Sequence, residues 1–100
     1  MTRWSITRAS DGRRIASGTE IDTRPGDVWL LTGRVVWGAS VRGLKVGEAL
    51  EAEVTVGDAF FLLTGTVTAA GLGPDGSPRT LELTGKAEAL GDVVLDIRGG

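Results

Sequence analysis

Apolar and polar residues alternate along most of this chain, and no segment sustains a helical period. Trp4 and Ile6 alternate with Arg3, Ser5 and Thr7, which predicts a first strand. Asp11-Gly12 is a two-residue turn signal because both positions tolerate positive φ. A hairpin closed there sets Arg8 opposite Ile15 and puts Ile15 on the face of Trp4 and Ile6. Arg24-Pro25-Gly26-Asp27 reads as a turn, with proline presetting φ and glycine supplying the left-handed position. A long strand follows from about Val28 to Trp37, with Trp29, Leu31, Gly33, Val35 and Trp37 facing inward.

The second half repeats this logic. Gly38 to Gly43 is a loop, and Leu44-Lys45-Val46-Gly47-Glu48 turns into a strand with Leu50, Ala52, Val54 and Val56 inside. Its Glu51, Glu53 and Thr55 face out. Gly57-Asp58 is another tight hairpin signal; closing it sets Val54 against Phe61, Ala52 against Leu63 and Leu50 against Gly65. All six are inward positions, the agreement that a true register requires. After a loop from Gly71 to Pro78, which contains Pro74-Asp75-Gly76, a strand from Arg79 to Leu90 is predicted. It carries Leu81, Leu83, Gly85, Ala87 and Ala89 inside, and Glu82, Thr84, Lys86 and Glu88 outside. Gly91-Asp92 leads into a last strand, Val93 to Ile97.

Six or seven strands joined by short turns predict an all-β barrel or sandwich. The glycines favour the barrel. Leu-Thr-Gly occurs at Leu31-Thr32-Gly33, Leu63-Thr64-Gly65 and Leu83-Thr84-Gly85, each time with the glycine at an inward position. An interior glycine weakens a strand, and sharp coiling around a small barrel gives a reason to accept it. The expectation is a small, mostly antiparallel, closed or nearly closed barrel with an N-terminal β-hairpin. Residues 1–24 form that hairpin and a connector, 28–97 the barrel core, and 98–100 a frayed tail.

Four outward positions break the polar pattern: Leu30, Val36, Phe60 and Leu62. They are either covered by the N-terminal hairpin or a loop, or left as an exposed apolar surface that docks a partner or another copy. Trp4, Trp29 and Trp37 have inward parity and read as core residues rather than a stacking platform.

Composition narrows the chemistry. The chain has neither Cys, His nor Tyr, which removes disulfides, thiol nucleophiles, the usual zinc sites and imidazole catalysis. Carboxylate pairs remain, Glu51 with Glu53 and Glu82 with Glu88, but on strand faces of a small barrel they read as solvated charges. Asp92 and Asp96 read as turn and edge residues rather than a cation site. Gly71-Leu72-Gly73 lacks the Lys-Ser/Thr pair of a phosphate loop. No catalytic, cofactor-binding or metal-binding residue is expected. Arginines crowd the first quarter, at positions 3, 8, 13, 14 and 24, while Glu48, Glu51, Glu53 and Asp58 make an acidic middle. The net charge of −2 does not favour a bare nucleic-acid binder. No run approaches a membrane span, and Arg3-Trp4-Ser5-Ile6 already reads as a strand rather than a signal peptide. The expected setting is cytoplasmic, or within an assembled particle.

Thr32-Gly33-Arg34-Val35, then Gly38, then Leu44-Lys45-Val46-Gly47-Glu48-Ala49-Leu50-Glu51 follow one another in a recognisable order. Here the chain resembles the second, β-barrel domain of translational GTPases such as elongation factor Tu. Leu83-Thr84-Gly85 and Gly91-Asp92-Val93-Val94 look like the closing strands of that barrel. The likeness spans Val28 to Leu95 with gaps, and Ala39 to Gly43 is an insertion relative to it. It implies a domain without catalytic residues that docks against other domains, RNA or the ribosome. A second likeness, to cyclic-dinucleotide-binding PilZ barrels at Ser40-Val41-Arg42-Gly43, lacks the acidic and paired-arginine ligand residues, so that ligand is not carried over.

The expected function is therefore a non-enzymatic binding or adaptor module, docking on a macromolecule through Leu30, Val36, Phe60 and Leu62. The alternative is a structural subunit, of connector or decoration type, in a larger assembly such as a phage-like particle.

Overall fold

A computed structural model of the chain describes residues 1–72, 78–87 and 90–99, with the side chains of residues 72 and 78 left aside. Among these residues the strands are β1 (Thr2–Arg8), β2 (Arg14–Gly18), β3 (Glu20–Arg24), β4 (Val28–Thr32) and β5 (Val36–Trp37). After a 3₁₀ turn at Ala39–Gly43 come β6 (Ala49–Val56), β7 (Ala59–Leu72), β8 (Pro78–Ala87) and β9 (Gly91–Arg98). All nine join in one curled sheet in the order β3-β4-β9-β8-β7-β6-β1-β2-β5. Every pairing is antiparallel except β4 with β9. No helix among the described residues is long and apolar enough to cross a membrane.

The excess over six or seven strands has a simple origin. Thr19 alone separates β2 from β3, and Gly33 to Val35 separate β4 from β5. Ser17 pairs with Val36 on one side of this break, and Glu20 pairs with Thr32 on the other. The four short strands are thus one long hairpin with a kink, its tip at Pro25-Gly26-Asp27. Gly26 and Asp27 take left-handed φ values of 85° and 56° there. The root of the hairpin, β2 and β5, lies on β1, while its tip, β3 and β4, lies on β9. One hairpin therefore spans both margins of the sheet and gives it its barrel-like curl. The expected single strand from Val28 to Trp37 is corrected to two segments around the kink.

Trp4 holds the kink in place. Its indole is 2% exposed, and its Nε1–H is shared between the carbonyls of Glu20 (3.1 Å) and Thr32 (3.3 Å). Trp29 and Trp37 are half-buried against the same core. Trp29 meets Phe61 edge-to-face with centroids 5.4 Å apart. Trp37 Nε1–H donates to the Gly99 carbonyl at 2.9 Å, and Gly99 N–H donates to the Arg79 carbonyl at 3.1 Å. The expected fray at 98–100 is corrected accordingly: Arg98 ends β9 and Gly99 is hydrogen-bonded on both sides, while Gly100 lies outside the described residues.

The first hairpin also departs from expectation. Thr7 pairs with Arg14 and Ile6 with Ala16, so Ile15 is an extra residue bulged into the core. Arg8 N–H bonds the Arg13 carbonyl, so Arg8 does not face Ile15. The loop is longer than two residues because the Asp11 carboxylate accepts the Arg13 N–H at 2.9 Å and forms its own local turn. Ile15 still joins Trp4 and Ile6 inside, and Ala16 is buried beside it. The β6–β7 register is as expected, with Val54 on Phe61, Ala52 on Leu63 and Leu50 on Gly65. Val56 keeps the inward parity but reaches the rim and is 43% exposed. In β8 and β9, Leu81, Leu83, Ala87, Val93, Leu95 and Ile97 are all buried. The predicted loop around Pro74-Asp75-Gly76, and Glu88 and Ala89, lie outside the described residues.

Two of the three Leu-Thr-Gly glycines face each other. Gly65 pairs with Gly85 across β7 and β8, and a Cβ on either would sit 2.8 or 2.6 Å from the opposing threonine carbonyl. The strands close up where both lack a side chain, which is the coiling that the sequence predicts. Gly33 differs: its φ of 91° makes it the hinge of the kink rather than an inward strand residue.

Gly85→Ala is expected to lower stability by about 1–3 kcal/mol through overpacking. At roughly 4–8 °C of Tm per kcal/mol for a domain this size, thermal unfolding resolves the change. Gly43→Ala, whose Cβ would meet nothing within 4 Å, is the matched control and should leave Tm unchanged. Trp4→Phe keeps a ring but removes the shared donor, and should cost about 1–3 kcal/mol by the same measurement.

Candidate functional site

The outward side chains of the wall β7-β6-β1-β2-β5 form a row. Leu62 pairs with Glu53, Glu53 with Ser5, Ser5 with Ser17, and Ser17 with Val36. Strand alternation places all five on the outer face. The row is tall at its ends and low in its middle, because serines occupy the centre. Phe60, two residues from Leu62, heads a neighbouring row through Thr55 to Arg3. The result is a groove of about 590 Å³ whose lining includes Arg3, Ser5, Arg14, Ser17, Arg34, Val36, Glu53, Thr55 and Phe60.

Val36 is 56% exposed, Phe60 60% and Leu62 54%. Neither the N-terminal hairpin nor a described loop covers them. Leu30 is placed elsewhere. It is half-buried on β4, between Asp22 of β3 and Asp96 of β9, with Glu82 of β8 next in line. The four outward apolar residues are thus three on one wall and a fourth, framed by carboxylates, on another.

Sequence reasoning missed the arginines of the groove. Arg3 lies on β1, Arg14 opens β2, and Arg34 stands in the kink after Gly33. None of the three forms an ion pair among the described residues. Arg8, Arg13, Arg24 and Arg98 each do. Arg8 is the most engaged: its Nε approaches Glu48 Oε1 at 2.7 Å, and its Nη2 donates to the Ser40 carbonyl at 2.9 Å. This ties β1 to the 3₁₀ turn and to the entry of β6. The arginine-rich start and the acidic middle are therefore neighbours, because β1 pairs with β6. The sequence signal available for the groove was the parity of Arg3 with Ser5; Arg14 and Arg34 join it only through the bulge and the kink.

Of the carboxylates read as solvated charges, Glu51, Glu53 and Glu82 are exposed, and Glu88 lies outside the described residues. Glu51 and Glu53 stand on the outer face of β6, and Glu82 accepts a hydrogen bond from Thr68 Oγ1 at 2.8 Å. Asp92 faces Lys86 at 3.8 Å, and Asp96 pairs with Arg98 at 3.0 Å. The described residues hold no group of three or more Asp, Glu, His or Cys side chains arranged for a metal ion. Compared with protein-family models, curated proteins and solved structures, the chain matches none of them.

The Asp11 turn has a measurable signature. The Arg13 backbone N–H bonds the carboxylate and, with the charges of Arg8 and Arg13, holds its pKa below the ordinary 3.8. A depressed folded value means that the stabilisation is complete above the unfolded pKa and disappears as pH falls through the folded one. Carboxyl-detected NMR should place the Asp11 midpoint on the acid side of 3.8, and Arg8→Gln should move it back only part of the way, since the backbone bond remains.

Proposed function

We propose that this domain is a non-catalytic binding module that docks on a protein partner through the wall carrying Val36, Phe60 and Leu62. The observation that supports it is the exposure of Phe60 and Leu62, side by side on β7 and each more than half open to solvent. Covering the exposed half of two such side chains is worth about 0.8–1.5 kcal/mol each, and they stand next to a rim of polar and charged groups, the usual anatomy of an interface. The docking role implied by the resemblance to the barrel domain of translational GTPases belongs to this same reading.

A second reading draws on the other wall. Leu30 stands on a face where Asp22 is paired with Arg24 and Asp96 with Arg98, unlike the groove, whose three arginines have no such partners among the described residues. Two copies meeting through these unlike surfaces form a head-to-tail contact, which closes into a ring or extends as a filament. This is the geometry of a structural subunit in a larger assembly.

Sedimentation at micromolar concentration separates the two: a monomer supports the module, a ring or longer oligomer the subunit. The paired substitution Phe60→Ser with Leu62→Ser should abolish whichever association is found while leaving the fold intact by circular dichroism. Unchanged association in that variant overturns the docking wall.

A further inference from the structure

Resting on the docking reading above, we infer that the groove between Phe60 and Val36 takes an extended acidic segment of a partner protein. The charge pattern carries the argument. Arg3, Arg14 and Arg34 come from three separate parts of the fold and line one concavity, and none has a carboxylate partner among the described residues. A guanidinium that finds no internal partner keeps its full fork of donors for an incoming carboxylate, which it can bind through two parallel hydrogen bonds. Glu53 is the one acid in the lining, so the cations outnumber it.

The floor fits a backbone. Ser5 and Ser17 leave the middle of the row low, and their hydroxyls, with that of Thr55, both donate and accept. The ends fit apolar side chains. From Phe60 on β7 to Val36 on β5 there are four interstrand steps, about 19 Å at roughly 4.8 Å each. An extended peptide covers that in about six residues at some 3.3 Å per residue. The matching segment therefore has Asp or Glu in its centre and an apolar residue toward each end. A single-stranded nucleic acid would also meet the arginines, but it binds by stacking successive bases on aromatic faces, and among the described residues only Phe60 offers an exposed one here.

A display library of random peptides selected on the full chain tests this. The expected result is enrichment of Asp and Glu flanked by apolar residues, with affinity falling as salt is raised. The combined substitution Arg3→Gln, Arg14→Gln and Arg34→Gln should weaken the selected peptide at least about tenfold. Ser17→Tyr, which fills the floor without changing charge, should block it as well. Peptides with no acidic bias, or binding indifferent to both variants, overturn the inference. So does tighter binding of single-stranded oligothymidine than of the selected peptide. Loss of self-association in the arginine variant would assign the groove to a second copy and also overturn it. Failure here alongside a successful Phe60→Ser/Leu62→Ser result leaves the docking wall standing and removes only the acidic segment.

Discussion

The seat of Trp4 is the constraint on which the rest of the molecule depends. A hairpin that must lie on two margins of one sheet has to bend, and a bend interrupts its ladder. The interruption falls between the Ser17–Val36 and Glu20–Thr32 pairs, and the indole N–H of Trp4 reaches both carbonyls of the latter. The same ring fills the interior beneath, against Gly18, where a Cβ would meet it at 2.4 Å. One side chain thus supplies the apolar filling and the polar partner at the point where regular pairing stops.

From that bend the outer wall that carries Val36, Phe60 and Leu62 takes its shape. Because the hairpin turns away after Gly18, its root stays beside β1 and places Ser17 and Val36 in register with Ser5, Glu53 and Leu62. Because Gly33 leaves the strand with positive φ, Arg34 is displaced from the ladder and stands over the groove. The kink that shapes the interior also sets the spacing of charge and apolar surface outside.

What could be read from the sequence was local. The β6–β7 hairpin was legible in full, because Gly57-Asp58 fixes the turn and the alternation of β6 then sets which residues of the apolar run in β7 face inward. The inward residues of β8 and β9 were legible for the same reason. The bulge at Ile15 was not, since an extra apolar residue looks like ordinary alternation until its partner strand is known. Nor was the separation of Leu30 from Phe60 and Leu62. That depends on β4 lying parallel to β9, a pairing between distant stretches that no turn announces. The groove arginines were hidden likewise, each unremarkable in its own segment and informative only once β1, β2 and the kink adjoin.

The parallel contact of β4 with β9 carries a consequence for how the chain reaches this state. Val28 to Leu31 meet Val94 to Ile97, and Trp37 is tied to Gly99. Both hairpins and the β6-β7-β8 meander can form early from nearby residues, yet the tip of the kinked hairpin has no sheet to lie on until β9 emerges from the ribosome. Folding is therefore governed by its most distant pairing, the slow regime for β topologies. Until then Trp29 and Leu31 have Thr23 and Ile21 of β3 on one side and an unpaired edge on the other, and an apolar strand edge left open in this way is prone to aggregate.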